Sequence, residues 1–345
     1  MKAAIIKGLG EMSVETIETP RVKDGTVLIK VKTCAVCGSD IRIFESGNDR
    51  VRYPAVIGHE IAGEVVAVGA GVSQFKRGDR VAVGADVPCG ACDWCRHDMG
   101  NCCDENYAMG YQFAGGYAEY CLLEPLVVKH GPVALIPDSV SDDEAAIAEP
   151  LACCINGLER AQMQPGKTVL IIGSGPIGTL LVALAKAYGA ASVAIAERNP
   201  QRLDLAKVYQ PDQLILSVQE DLRDRVRQLT AGKGMDIVIT ACANTDAQEE
   251  ALGLVAKRGV INFFGGLPRG SRQIRIDSNL IHYRECYVTG SHGSVPRQHK
   301  LALDLIAGGK IDVRKIISHS FPLELIAEGF KTVKNLAGMK VVIKP

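Results

Sequence analysis

Four cysteines, Cys89, Cys92, Cys95 and Cys103, stand in a C-x2-C-x2-C-x7-C run. Three evenly spaced sulfurs in a glycine-bearing loop, with a longer arm on which the chain returns, suit four thiolates converging on one ion in a closed, structural zinc site. Cys102 competes with Cys103 for the fourth place, and the spacing favours Cys103. The alternative of two disulfides fits less well, because a chain of 345 residues needs no covalent staples. A second, dispersed set of ligand-type residues, Cys37, His59, Glu60 and Glu149, is left over for an open, reactive site. Both Cys37-Gly38-Ser39-Asp40 and Gly58-His59-Glu60 lie in glycine-marked turns, where functional side chains are commonly displayed. The cysteines outside the two sets, Cys34, Cys102, Cys121, Cys153, Cys154, Cys242 and Cys286, read as small buried hydrophobes.

A third constellation is Gly173-Ser174-Gly175-Pro176-Ile177-Gly178, which follows an apolar strand and opens a helix. In that context Gly173 makes the tight turn, Gly175 permits close approach of a pyrophosphate, and Gly178 packs helix on strand. Glu197 ends the next strand at the distance expected for a ribose-binding acid. A carboxylate there accepts from both adenosine ribose hydroxyls and repels a 2′-phosphate, which favours NAD over NADP. Arg198 and Arg202 follow and could neutralise a phosphate if Glu197 swung away; Arg202 reads either as a solvated helix residue or as a cover for the adenine. Gly265 and Gly266, after a later strand, complete the expected cofactor-binding set.

The elements that must position these groups fall into two textures. From Met1 to about Leu151, short alternating runs such as Thr26–Val31 and Gly63–Gly69 read as strands joined by glycine turns. From Lys167 the pattern alternates apolar strand and helix, the signature of a parallel sheet covered on both faces. The expected strands are 168–172, 192–196, 213–216, 236–240, 259–264 and 286–289, six in all, as a doubly wound sheet requires. Asn199-Pro200 caps one helix, Gly189 stops the helix 177–188, and Ser141 to Glu144 forms a capping box whose helix leads through Glu149-Pro150 as a hinge. The charged run 220–225 reads as the solvated face of a helix.

Lysine plus arginine and aspartate plus glutamate both number 39, so there is no electrostatic case for a nucleic-acid or anionic-membrane partner. No apolar run is long enough for a signal peptide or a membrane span, which points to a cytoplasmic protein.

These motifs, together with Gly58 to Val65, Gly78-Asp79-Arg80-Val81 and Glu149-Pro150-Leu151, resemble the zinc-dependent medium-chain alcohol dehydrogenases, in particular the polyol (sorbitol) dehydrogenase branch, from end to end. The resemblance implies an α/β fold: a GroES-like, partly closed β-barrel catalytic domain over 1–152 and 292–345, with its zinc lobe at 86–106, and an inserted doubly wound domain over 153–291. It implies two zinc ions, the catalytic one held by Cys37, His59 and a carboxylate, with Glu60 and Glu149 able to exchange. It also implies NAD-linked oxidation of a secondary alcohol of a polyol or sugar derivative, with hydride transfer across the cleft between the domains. Ser39 is expected to take the alcohol proton, Asp40 to orient the His59 ring, and the sheet edges to pair subunits into a homodimer or homotetramer. Two positions stay open: Arg42 faces a substrate phosphate or solvent, and His292 binds polyol or is a loop residue. His97, His130, His282, His299 and His319 have no ligand-like context. The competing readings are a threonine dehydrogenase, in which the position of Glu149 is usually aspartate, and a dinucleotide-binding sensor that lost its chemistry.

Overall fold

The computed structural model describes residues 1–268 and 270–345. The chain divides into two compact units, Met1–Ala152 with Gly293–Pro345, and Cys153–His292, and the first division falls inside the helix Ala148–Arg160 rather than in a loop.

The first unit is built on a seven-stranded sheet that uses both ends of the chain. Its strands run in the order Ile317–Pro322, Lys340–Lys344, Val27–Ala35, Glu60–Val68, Arg80–Val83 and Val133–Leu135, with Tyr120–Leu123 pairing alongside Val27–Ala35. The strand Val27–Ala35 organises the unit because its valines, leucine and isoleucine bury on both faces. One edge is shared, Val27 to Lys30 pairing with Tyr120–Leu123 and Cys34 and Ala35 with the C-terminal strand, while the other edge pairs antiparallel with Glu60–Val68. Ile29, Val31, Ile61, Val65, Val81, Tyr117, Phe330 and Val341 form a common core.

In the second unit six strands pair in parallel throughout, in chain order 3-2-1-4-5-6: Gln213–Leu216, Ser192–Glu197, Thr168–Ile172, Met235–Thr240, Val255–Phe263 and Tyr287–Gly290. The order reverses between the first and fourth strands, which places the glycine loop after Ile172 at the switch point. Two helix ends carry the sequence signals. Asn199 accepts from the backbone N–H groups of Gln201 and Arg202, and Gly189, at φ +79°, follows the helix Pro176–Ala187 in the left-handed region open to glycine. The fifth strand begins at Val255, earlier than the apolar run at 259 suggests, because Ala256, Lys257 and Arg258 extend it through a register shift. Ser141 closes its capping box with Glu144 in the first unit. Among the described residues no helix is long and apolar enough to cross a membrane.

Candidate active site and metal centres

Strand register explains why residues distant in sequence meet. Ala35 pairs with Glu60, so Cys37, just past the end of one strand, comes to lie by His59 and Glu60 at the start of the next. Cys37 is also the N-cap of the helix Gly38–Ser46, and the Asp40 side chain in its first turn accepts from the Cys37 backbone N–H at 3.0 Å. The ligand atoms of Cys37, His59 and Glu60 all fall within 4.8 Å of one another.

The electrostatics suit a cation. Burial alone would push the His59 ring toward its neutral form, yet the Asp40 carboxylate and the Cys37 sulfur hold its pKa well above the usual imidazole value. Asp40 Oδ1 stands 3.3 Å from His59 Nδ1, an ion-pair contact whose geometry falls short of a hydrogen bond. Its Oδ2 accepts from the Tyr117 hydroxyl at 2.7 Å. With Nδ1 facing Asp40, Nε2 is the nitrogen left for a ligand role, and it lies 3.4 Å from Ser39 Oγ. A thiol, an imidazole and carboxylates of this kind are a zinc donor set.

Glu149, second residue of its helix, lies outside that 4.8 Å group but within its field. Burial pushes its pKa up to about 7; His59 draws it down, while Glu60 and Asp86 raise it further. Glu60 is held differently. Both of its oxygens accept from Lys340 Nζ, which also donates to the Val36 carbonyl at 3.2 Å. The Val342–Ala35 pairing, continued two residues, sets Lys340 opposite Cys37. Burial would lower the Lys340 pKa, and the Glu60 carboxylate beside it instead raises it. Removing one member of a buried pair of this kind costs about 3–5 kcal/mol.

The second metal-type cluster is self-contained. The pairing of Asp86 and Val87 with Ala108 and Tyr107 closes the neck of a loop in which, from Asp93 to Cys102, only Gly100 is buried. Cys89, Cys92, Cys95 and Cys103 converge at its centre with S···S separations of 3.8 Å (Cys89–Cys95), 3.4 Å (Cys92–Cys95) and 3.9 Å (Cys92–Cys103). A tetrahedron with zinc–sulfur arms of about 2.3 Å has edges of about 3.8 Å, whereas a disulfide would bring two sulfurs to about 2 Å. All twelve cysteines are free, and Cys102 is exposed and outside the cluster. The donors therefore fit zinc, with Cys103 as the fourth sulfur.

In the second unit Gly173 takes φ +106°, and a Cβ on Gly178 would stand 1.9 Å from the Gly173 carbonyl, so neither position tolerates a side chain. The peptide planes of this turn and the N-terminus of the helix Pro176–Ala187 form a cradle for a phosphate charge. Gly265 is equally tight, a Cβ there standing 2.3 Å from the Cys242 carbonyl, while Gly266 is open. Glu197 caps the loop. Its Oε2 accepts from the Ser174 N–H at 2.9 Å and the Ser174 hydroxyl at 3.0 Å, and its Oε1 from the N–H groups of Arg198 at 2.7 Å and Asn199 at 3.0 Å. Arg202 is buried beside Gly175 rather than solvated.

Residues 23–132 match the family described as alcohol dehydrogenase GroES-like domain, and residues 176–308 match zinc-binding dehydrogenase. The sorbitol dehydrogenase of Bacillus subtilis (strain 168) is 32% identical over 351 residues, spanning 100% of this chain and 97% of that protein. This chain belongs to the zinc-dependent medium-chain alcohol dehydrogenases. The D-arabitol-phosphate dehydrogenase of Enterococcus avium is 33% identical over 98% of the chain and 95% of its own length. A zinc-binding dehydrogenase from Sinorhizobium meliloti 1021, solved bound to NADP, superposes with a TM-score of 0.91 at 29% identity, covering 100% of this chain and 99% of that one. As a member of this family the chain is an oxidoreductase that uses zinc and a nicotinamide dinucleotide.

Several residues singled out by type belong to neither metal-type cluster. Arg42 is exposed on the helix Gly38–Ser46, and the His292 side chain is exposed, its backbone carbonyl accepting from Asn156 Nδ2 at 3.1 Å. His299 is fully buried with neither ring nitrogen hydrogen-bonded, and burial holds its pKa down to about 4, so it is neutral. Two residues near the cluster had no sequence signal. Lys340 is 280 positions from its partner. Tyr111 lies in a loop of no recognisable motif, its ring 6.1 Å from that of His59 and its hydroxyl facing Ser39.

Proposed function

We propose that this dehydrogenase oxidises a secondary alcohol of a polyol or sugar derivative to the ketone with NAD, using two zinc ions per chain. The observation that carries the reading is the convergence of Cys37, His59 and Glu60 in a pocket whose buried charges favour a cation. The sorbitol and arabitol-phosphate dehydrogenases among its relatives support a polyol.

Cys37 and His59 are the fixed ligands in this account. Glu149 supplies the third: a buried carboxylate pushed up to about 7 gains most from a cation, whereas the charge of Glu60 is already matched by Lys340. Glu60 can then exchange with Glu149 only by leaving Lys340. Zinc held there supplies Lewis-acid chemistry, polarising a hydroxyl oxygen so that its proton leaves near neutral pH. Ser39 Oγ relays that proton, taking it up as its own hydroxyl proton passes on toward solvent; His59 Nε2 lies 3.4 Å from it and the Tyr111 hydroxyl faces it. Asp40 holds the imidazole in one orientation. Cys89, Cys92, Cys95 and Cys103 hold the second, structural ion.

NAD is favoured by the anchoring of Glu197. Ser174, Arg198 and Asn199 hold the Glu197 carboxylate with four hydrogen bonds, so the group does not swing aside. Burial would raise its pKa, but the backbone N–H groups of Ser174, Asn199 and Arg198 hold it below the usual range, and it stays charged. A 2′-phosphate would meet a fixed negative charge, at about 4 kcal/mol per unit charge at 4 Å. The test is a panel of polyols, their phosphates, aldonates and L-threonine, each with NAD and NADP. The expected result is polyol-type oxidation with kcat/KM for NAD about a hundredfold above NADP. Oxidation confined to L-threonine would replace the substrate reading, and equal use of the two dinucleotides would remove the role given to Glu197.

The strand Tyr287–Gly290 forms an edge of the parallel sheet, and Tyr287 and Val288 on it are 52% and 38% exposed. An unpaired edge with apolar side chains is a pairing surface, which supports a homodimer or homotetramer joined there. Sedimentation should give two or four chains per particle, falling to smaller species in Val288→Lys; a monomeric wild type would rule the assembly out.

A further inference from the structure

Arg50 is a half-buried cation that has no counter-ion among the described residues. Its guanidinium lies over the Tyr111 ring, 4.8 Å from the centroid, and Nη2 donates to the Asn106 carbonyl. The loop fixes its backbone, the Arg50 N–H donating to Asn48 Oδ1 at 2.9 Å. Nε is buried and has no partner, and among the described residues no carboxylate forms an ion pair with the group. With the guanidinium over the ring and one Nη2 N–H given to Asn106, the Nη1 N–H groups and the second Nη2 N–H are left for an oxyanion. Holding such a charge partly out of water without an anion carries a desolvation cost that a bound anion would offset.

Its neighbour shows where the anion would come from. Tyr111 is a neighbour of both Arg50 and the metal-type cluster, its ring 6.1 Å from that of His59 by centroids and its hydroxyl facing Ser39. Placed end to end, 6.1 Å and 4.8 Å put the guanidinium at most about 11 Å from the imidazole. A five- or six-carbon chain with a charged terminus reaches that far at about 1.5 Å per carbon–carbon bond.

We propose that Arg50, steadied by Tyr111, is the oxyanion-recognising residue of the substrate pocket, and that the preferred substrate is a polyol or sugar acid carrying a terminal phosphate or carboxylate. This rests on the polyol reading above and narrows it. Arg50 is a specificity residue; it takes no part in the loss of hydride or proton.

The experiment compares steady-state kinetics of wild type, Arg50→Gln and Arg50→Lys on neutral polyols, the corresponding terminal phosphates and the corresponding aldonates. Wild type should show the lower KM for an anionic substrate, and whichever of the phosphate and carboxylate arms does so names the anion. Arg50→Gln should raise that KM about 30-fold, the scale of a lost charge-assisted hydrogen bond, with a much smaller change in kcat and in the constants for neutral polyols. Arg50→Lys should recover part of the loss. Equal losses on neutral and anionic substrates would show a structural role and overturn the proposal, as would a wild type that prefers the neutral compounds. Should wild type oxidise no member of any arm, the polyol reading itself fails before a variant is needed, and the subsite falls with it.

Discussion

Cys37→Ser should retain one zinc per chain where the wild type holds two, and should lose alcohol oxidation by at least about a thousandfold. Serine is a poor zinc ligand at neutral pH because its hydroxyl does not ionise as a thiol does, so the donor set around His59 is broken while the cysteine lobe is left whole. Dinucleotide binding should be unchanged, since Gly173, Glu197 and Arg202 belong to the other compact unit. The helix that Cys37 caps should also survive, because its first turn is held by Asp40 accepting from the backbone of residue 37 rather than by the sulfur. Metal analysis beside dinucleotide titration separates these effects. A variant that keeps two zinc ions, or that keeps its rate with one, would remove Cys37 from the chemistry.

Cys92→Ser should have the largest effect on stability, and a local one. Its sulfur sits 3.4 Å from Cys95 and 3.9 Å from Cys103, so its loss removes one corner of the tetrahedron. The backbone N–H groups of Asp104 and Cys95 pull the Cys92 thiol down to about 6, which favours the thiolate that metal needs. From Asp93 to Cys102 only Gly100 is buried, so there is no apolar core to hold the loop once the ion leaves. Structural zinc in comparable small sites contributes on the order of 10 kcal/mol. Hydrogen exchange should therefore rise sharply between residues 89 and 103, while the strands Val27–Ala35 and Glu60–Val68 keep their protection. An unchanged exchange pattern in the lobe would mean that its fold does not depend on metal.

What could be read from the sequence was what local spacing encodes. The cysteine run declares its site because all four sulfurs lie within fifteen residues, and the glycine fingerprint declares its own because strand, turn and helix follow one another directly. Asn199 and Ser141 were legible as caps for the same reason. The rest depends on strand register between distant segments. Lys340 meets Glu60 only because the C-terminal strand pairs with Val27–Ala35, which in turn pairs with Glu60–Val68. Nothing near Lys340 in the chain signals a buried cation. Tyr111 and Arg50 were hidden likewise, each in a loop whose residue types suit any surface turn. Glu197 shows a different limit: its position was readable, but its lone pairs are committed to Ser174, Arg198 and Asn199, and that hydrogen bonding appears only in three dimensions.

Anomalous diffraction from wild-type crystals, recorded on either side of the zinc absorption edge, tests the central claim most directly. The account predicts two zinc peaks per chain, one enclosed by Cys89, Cys92, Cys95 and Cys103, the other touching Cys37 Sγ and His59 Nε2 with Glu149 or Glu60 completing the protein donors. A single peak in the cysteine lobe, from protein purified without chelator and supplied with zinc, would contradict it.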